Sequence, residues 1–137
     1  MKKTGIRIAL ALILLLVMAL GSVSTVEAGG RRVATATIGP HDDVGEGLKL
    51  KAAVTYENYR AYGVRSFWYK MDENGNYYEH HYVDKVYSSQ LATSDSWDVT
   101  TRYTVQAGET WQLQVYLFKK NLSLAKKPIV VDTYQVQ

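Results

Sequence analysis

The chain has 137 residues, of which 47% are hydrophobic and 12% aromatic, and it carries 16 Lys and Arg against 13 Asp and Glu. It contains no cysteine, which excludes disulfides and a lipid-modified cysteine at a mature N-terminus. Lys2, Lys3, Arg7 and Glu27 all lie in the first 28 residues, so residues 29–137 hold 13 basic and 12 acidic side chains. This near balance of charge does not indicate a nucleic-acid-binding protein.

The N-terminal segment has the pattern of a secretory signal peptide. A positive n-region precedes an apolar run from Ile8 to Leu20, and Val26-Glu27-Ala28 offers a site for signal peptidase. We predict a signal peptide at 1–28 and one domain at 29–137 in a secreted, extracellular protein. An uncleaved anchor is the alternative, although a membrane span needs about 20 apolar residues. Cysteine-free export and a lysine-led signal suit a Gram-positive source.

The remaining chain has the composition and periodicity of β-structure. It is rich in Tyr, Trp, Val and Thr, and polar and apolar residues alternate with a period of two. Turn signals about every eight to twelve residues predict an all-β fold, a single-domain antiparallel β-sandwich of about seven strands. The predicted strands are Arg32–Ile38, Leu48–Glu57, Val64–Asp72, Tyr77–Tyr87, Trp97–Val105, Thr110–Lys119 and Ile129–Val136.

Alternation within these strands predicts which side chains form the core. Leu50 and Val54 share one face of the second strand, and Trp111, Leu113 and Val115 share one face of the sixth. We expect these five residues to be buried between the sheets. In the fifth strand the shared face would hold Trp97, Val99, Thr101, Tyr103 and Val105.

The stretch YTVQAGETWQLQVYL, from Tyr103 to Leu117, resembles the corner and following strand of bacterial immunoglobulin-like and fibronectin-like modules. A turn at Ala107-Gly108-Glu109 leads to Trp111 and an alternating strand. The resemblance covers about fifteen residues. It implies an immunoglobulin- or fibronectin-like architecture without the inter-sheet cysteines of true immunoglobulin domains, and it implies no function.

The segment DENGNYYEHHYVD predicts a β-hairpin. Asn74-Gly75 suits a two-residue type I′ turn, which would pair Tyr69 with His80, Trp68 with His81, and Lys70 with Glu79 as an ion pair. The face containing Phe67, Tyr69, Met71, Tyr78, His80 and Tyr82 carries no formal charge and would face the core. Adjacent strand residues point to opposite faces, so we expect a half-buried His80 bonded to a tyrosine, a solvated His81, and no shared metal.

If the strands alternate in direction, the loops sort into two ends of opposite charge. One end collects residues 41–46, 72–74 and 107–109, with six carboxylates and no Lys or Arg. The other collects residues 58–63, 88–96 and 119–127, with five basic residues and one acid. The carboxylates of the first end offer a candidate calcium site formed by Asp42, Asp43, Glu46 and Asp72. No other cofactor is expected.

The second end offers the better candidate for function. Tyr and Arg make effective contact surfaces, and lysines surround Leu122 and Leu124. No nucleophile elbow, zinc-protease motif, phosphate loop or dinucleotide fingerprint is present. We therefore expect a non-catalytic binding module for an anionic envelope polymer, a membrane surface or a protein. The alternative is a small secreted toxin, antimicrobial protein or enzyme inhibitor. The candidate binding residues are Tyr59, Arg60, Tyr62, Lys119, Lys120, Lys126 and Lys127.

Overall fold

Seven antiparallel strands form two sheets that pack face to face. The computed structural model describes residues 30–43, 45–87 and 91–137, with the side chain of Asp43 excepted. The predicted signal peptide lies outside the described residues, as do Val44 and residues 88–90. The described strands all belong to one compact unit, Arg32–Gln137.

The strand order within the sheets is β1-β2-β5 and β4-β3-β6-β7. This arrangement confirms the predicted seven-stranded β-sandwich. No helix in the described part of the chain is long and apolar enough to span a membrane. The strands are β1 (Val33–Asp43), β2 (Gly47–Ala61), β3 (Gly63–Met71), β4 (Tyr77–Val86), β5 (Ala92–Thr100), β6 (Thr110–Leu117) and β7 (Val130–Gln135).

The core lies between the two sheets and is built by strict alternation. Along β6 every second residue is buried, and β2 shows the same pattern over most of its length. The predicted core residues are all fully or almost fully buried, which confirms this part of the prediction. Two indoles, Trp68 from β3 and Trp111 from β6, meet edge to face with ring centroids 6.5 Å apart. The predicted residues are Leu50, Val54, Trp111, Leu113 and Val115.

The predicted fifth strand is displaced: β5 begins and ends five residues earlier than expected. Its end is fixed by Thr101, whose backbone N–H bonds Leu50 O at 2.8 Å and whose hydroxyl accepts the Leu50 N–H at 3.0 Å. The chain then leaves the sheet in a loop over residues 101–109. Tyr103, predicted to share one strand face with Trp97 and Val99, is 52% exposed in that loop.

Alternating strand direction sorts the loops into two ends as expected. β4 and β5 run in opposite directions, since Lys85 near the end of β4 bonds Asp95 near the start of β5, while His81, earlier in β4, accepts the Arg102 N–H just after β5. The connections β1–β2, β3–β4 and β5–β6 therefore share one end. The connections β2–β3, β4–β5 and β6–β7 share the other. The order is not a simple meander, because β5 pairs with β2 and β6 pairs with β3.

Candidate functional site

The predicted binding residues lie at the end formed by the β2–β3 and β6–β7 connections, which we call the basic end: Tyr59, Arg60, Tyr62, Lys119, Lys120, Lys126 and Lys127. Backbone bonds hold the two connections together. Tyr62 N–H donates to Phe118 O at 3.1 Å, and Phe118 N–H donates to Gly63 O at 2.8 Å. Gly63 permits this approach, because a Cβ there would lie 2.8 Å from Lys85 O and 2.9 Å from Phe118 Cδ2. The structure therefore brings Tyr62 beside the β6–β7 connection. The predicted loop over residues 58–63 is wrong, because β2 continues to Ala61 and holds Tyr59 and Arg60 within the strand.

The β6–β7 connection forms a tight tip over residues 119–123. Lys119 N–H donates to Ser123 O, and Leu122 N–H donates to Lys119 O, both at 2.8 Å. The Asn121 carboxamide oxygen accepts from the Ser123 N–H at 3.0 Å and from its hydroxyl at 2.6 Å. The tip is thus fixed by its own hydrogen bonds, and it presents Leu122 to solvent with 54% of its surface exposed.

Basic side chains dominate the surface around this tip. Arg60 and the four lysines are all exposed. Within the described part of the chain, no salt bridge engages any of these five cations. Asp95, the one acid assigned to this end, accepts from Lys85 Nζ and from the Tyr87 hydroxyl, both at 2.7 Å. Its charge is therefore already matched inside the fold.

The Asp95 cluster shifts the pKa values of its members in a consistent direction. Burial opposes ionisation of Asp95, but hydrogen bonds from Lys85, Tyr87 and the Ser96 N–H outweigh it and lower the pKa of the carboxyl. Burial raises the pKa of the Tyr87 phenol, and its bonds to Tyr56 and Asp95 raise it further. The cluster joins the end of β4 and Tyr87 to Asp95 in β5 through hydrogen bonds.

The tyrosines of the basic end are less free than the sequence suggested. Tyr59 is half-buried, meets Tyr56 edge to face at 6.0 Å, and lies under the Arg32 guanidinium at 5.6 Å. Tyr62 is half-buried beside Phe118. Sequence reasoning missed Val86, which is 56% exposed and pairs with Gly63 at the same end. Its position just before the β4–β5 connection was the available signal.

The opposite end is less acidic than the loop residues alone indicated. Glu46 bonds Lys49 Nζ at 2.8 Å, and Glu109 bonds Lys70 Nζ at 2.9 Å. Arg102, predicted inside a strand, belongs to the 101–109 loop because β5 ends early. Lys49 in β2 and Lys70 in β3 thus pair with Glu46 and Glu109, which were expected to have no basic partner at this end.

The four residues of the predicted calcium site are placed as follows. Asp42 and Asp43 end β1, and Glu46 lies in the turn that follows. Asp72 closes the β3–β4 turn, where its Oδ1 accepts the Asn74 and Asn76 N–H groups at 2.9 Å each. Among the described side chains, which exclude that of Asp43, no group of three potential ligands is assembled. Calcium binding stays a prediction.

The predicted hairpin register is wrong near its tip. The turn has three residues, Glu73-Asn74-Gly75, closed by the Asp72 N–H to Asn76 O bond at 2.8 Å, with Gly75 at a φ of 83°. Asp72 favours this longer turn by capping it with its side chain. Met71 consequently faces Tyr77, one residue earlier than expected, and Lys70 faces Tyr78. Lys70 therefore pairs with Glu109 rather than Glu79.

A β-bulge at His80 restores the register at the Trp68–His81 pair. The extra residue breaks the alternation, so His80 and His81 point to the same side of the strand. Their rings meet with Nδ1 to Nδ1 at 2.9 Å, and His81 is only 8% exposed. The expectations of opposed rings and a solvated His81 are both wrong. The predicted inner face is wrong as well, because Trp68 and His81 face the core while Phe67 packs with Tyr82 and Tyr116 on the other side.

The hydrogen bonds of the histidine pair define its protonation. His81 Nε2 accepts the Arg102 N–H at 3.0 Å, so neutral His81 carries its proton on Nδ1 and donates it to His80 Nδ1. A second proton on His81 would face the Arg102 N–H. Burial, His80 and Arg102 lower the pKa of His81 to about 4, and burial followed by the charge of Lys70 lowers that of His80. Three of the four ring nitrogens are engaged within the fold, which makes the pair a structural clasp between β4 and the 101–109 loop.

A groove lies between the edge strands β4 and β5. Its cavity of about 340 Å³ has Val64, Val83, Trp97 and Val99 among its walls, with Asp84, Lys85 and Asp98 at its lining. Two bonds join β4 to β5 and to the loop after it, one from Lys85 to Asp95 and one from Arg102 to Tyr82 O.

Comparison with known proteins leaves the site to be interpreted from its own geometry. A scan against protein-family models finds no match, and a search of curated proteins finds no relative.

Proposed function

We propose that the domain is a secreted, non-catalytic binding module that recognises an anionic, partly apolar partner through the basic end. The observation that supports it best is the set of five exposed cations, Arg60 and the four loop lysines, which no described carboxylate neutralises. An envelope polymer, a membrane surface and an acidic protein all share the required negative charge. The fixed tip over residues 119–123 favours recognition, since a pre-ordered loop loses less conformational entropy on binding.

The charge distribution of the described surface favours this end over the opposite one. At the other end Lys49 and Lys70 are tied to Glu46 and Glu109, so these two lysines already have carboxylate partners within the fold. Unmatched exposed lysines attract an anionic surface over a distance set by the Debye length, about 10 Å at 0.1 M salt and about 3 Å at 1 M. Binding should therefore be strong at low salt and should weaken steeply as salt rises.

Co-sedimentation tests the proposal. The predicted mature chain, residues 29–137, is mixed with Gram-positive cell walls or with anionic vesicles across a range of salt concentrations. Reversal of Lys119, Lys120, Lys126 and Lys127 to Glu should abolish binding at every salt concentration.

Two controls separate the site from the overall charge. Asp42→Asn with Asp43→Asn should leave binding intact. Lys51→Glu with Arg102→Glu changes the net charge as much as Lys126→Glu with Lys127→Glu does, but away from the basic end, and should weaken binding far less. Equal losses from the two pairs would show that only net charge matters and would refute a localised site.

A further inference from the structure

We infer that the partner of the basic end is an anionic lipid bilayer, into which the tip at Leu122 inserts its side chain. This inference rests on the proposed function and adds the class of partner to it. Of the three partners that share negative charge, a bilayer offers an anionic surface with a continuous apolar layer directly beneath it.

The backbone at Leu122 carries the first part of the inference. Leu122 has a φ of 63°, in the left-handed region that non-glycine residues rarely adopt. Asn and Gly suit such a position, and the other non-glycine residue of the described chain with a positive φ is Asn58. A leucine at this position has an unfavourable backbone conformation. Its side chain is 54% exposed, so packing within the domain buries less than half of it. Backbone strain of this kind is held in place by the surrounding structure and clusters at sites that bind ligands.

The surroundings of Leu122 carry the second part. Lys119 and Lys120 lie three and two residues before it, and Lys126 and Lys127 follow on the same connection, all exposed. The end therefore has an apolar tip flanked by cations, with exposed Val86 across Gly63 as a second apolar contact. Lysine stems can lie along the interface with their ammonium groups among anionic headgroups while an aliphatic tip enters the layer below. A soluble polyanion would engage the lysines and leave Leu122 in water.

The positive φ of Leu122 also suggests a substitution that removes the apolar side chain without disturbing the backbone. Leu122→Asn removes the apolar group and places at φ 63° a residue that tolerates it, so the tip should stay folded. Loss of one buried leucine side chain should lower partitioning onto vesicles about tenfold. Binding to soluble polyphosphate should not change, because that interaction uses only the lysines.

Labelling reports insertion directly. The chain has no cysteine, so Leu122→Cys creates a unique attachment point for a polarity-sensitive dye. On vesicles of phosphatidylglycerol and phosphatidylcholine, the dye at 122 should shift to the blue. A dye at Ala107→Cys, in the exposed loop of the opposite end, should not. Vesicles of phosphatidylcholine alone should give no shift at either position.

The outcomes distinguish the inference from the proposed function. Insertion is overturned if the dye at 122 stays exposed to water and L122N binds vesicles as well as the wild type does. In that case the proposed function still stands if the four-lysine reversal abolishes binding, and the partner is a polymer or protein. Failure of the wild-type chain to bind vesicles, polyphosphate and cell walls at low salt overturns both. A blue shift at 122 together with the tenfold loss in L122N establishes the bilayer as the partner.

Discussion

Acid should destabilise this domain through His81, because the clasp between β4 and the 101–109 loop requires the neutral imidazole. The ring is 8% exposed, and its Nε2 accepts the Arg102 N–H. Its pKa is about 4 in the folded protein against an ordinary value of 6.5, so the unfolded chain binds the proton first as the pH falls. The stabilisation is therefore complete above pH 6.5 and is lost as the pH falls towards about 4.

The magnitude follows from the difference between these two values. Full protonation corresponds to about 3 kcal/mol of lost stability, of which about 2 kcal/mol is lost between pH 7 and pH 5. Asp95 and Glu109 act in a lower window. Their pKa values are depressed from 3.8 and 4.5, so their contribution is retained until the pH falls below those values. Measurements at pH 7 and pH 5 thus report mainly on the histidine pair.

The assay is urea unfolding at both pH values, followed by the fluorescence of the buried Trp68 and Trp111. His81→Gln is the informative variant, because its amide oxygen can accept the Arg102 N–H without titrating. The wild type should lose about 2 kcal/mol more than this variant between pH 7 and pH 5. His41→Gln is the matched control and should keep the wild-type loss. Parallel losses in the wild type and H81Q would refute the role assigned to His81.

Three further predictions concern the core, a close approach and processing. Trp111→Ala should cost about 3–5 kcal/mol of unfolding free energy by urea titration, because the indole is 1% exposed and its Nε1–H donates to Glu109; a change under about 1 kcal/mol would contradict its place in the core. Gly63→Ala should destabilise by about 1–3 kcal/mol, since the new methyl group meets Lys85 O and Phe118, whereas Gly39→Ala meets nothing within 4 Å and should change the melting temperature little; equal effects would refute the steric argument. Secreted material should begin near Gly29 by N-terminal sequencing, and retention of Met1 or Lys2 on most molecules would reject cleavage.

The sandwich could be predicted because its signals are local and repeated. Alternation along β2 and β6 assigns one face of each strand to the core, and a shift of one residue would expose Leu50 or Trp111. The fifth strand was misplaced because alternation continues past its end. Thr101 ends β5 by bonding Leu50, a contact 51 residues away that no local pattern reveals.

The candidate site was likewise predictable from the sequence only in part. The lysines of the β6–β7 connection and their place beside Tyr62 followed from strand count and direction. The geometry of the histidine pair could not be predicted in this way. It depends on the three-residue turn that the Asp72 side chain stabilises and on the β-bulge that compensates for the shifted register. The Lys70–Glu109 ion pair was also hidden, since it depends on the pairing of β3 with β6, whereas Glu46 and Lys49 are only three residues apart along the chain.

Amide shift mapping tests the central claim most directly, namely that the basic end is the binding surface. The ¹⁵N-labelled chain from residue 29 onwards is titrated with short-chain polyphosphate at low salt and again at 1 M salt. We predict shifts confined to Arg60, Tyr62 and residues 119–127, which fade at high salt as screening shortens the reach of the charges. Shifts centred on the 101–109 loop or on the β3–β4 turn, or equal shifts at both salt concentrations, would contradict the assignment of the basic end as the binding surface.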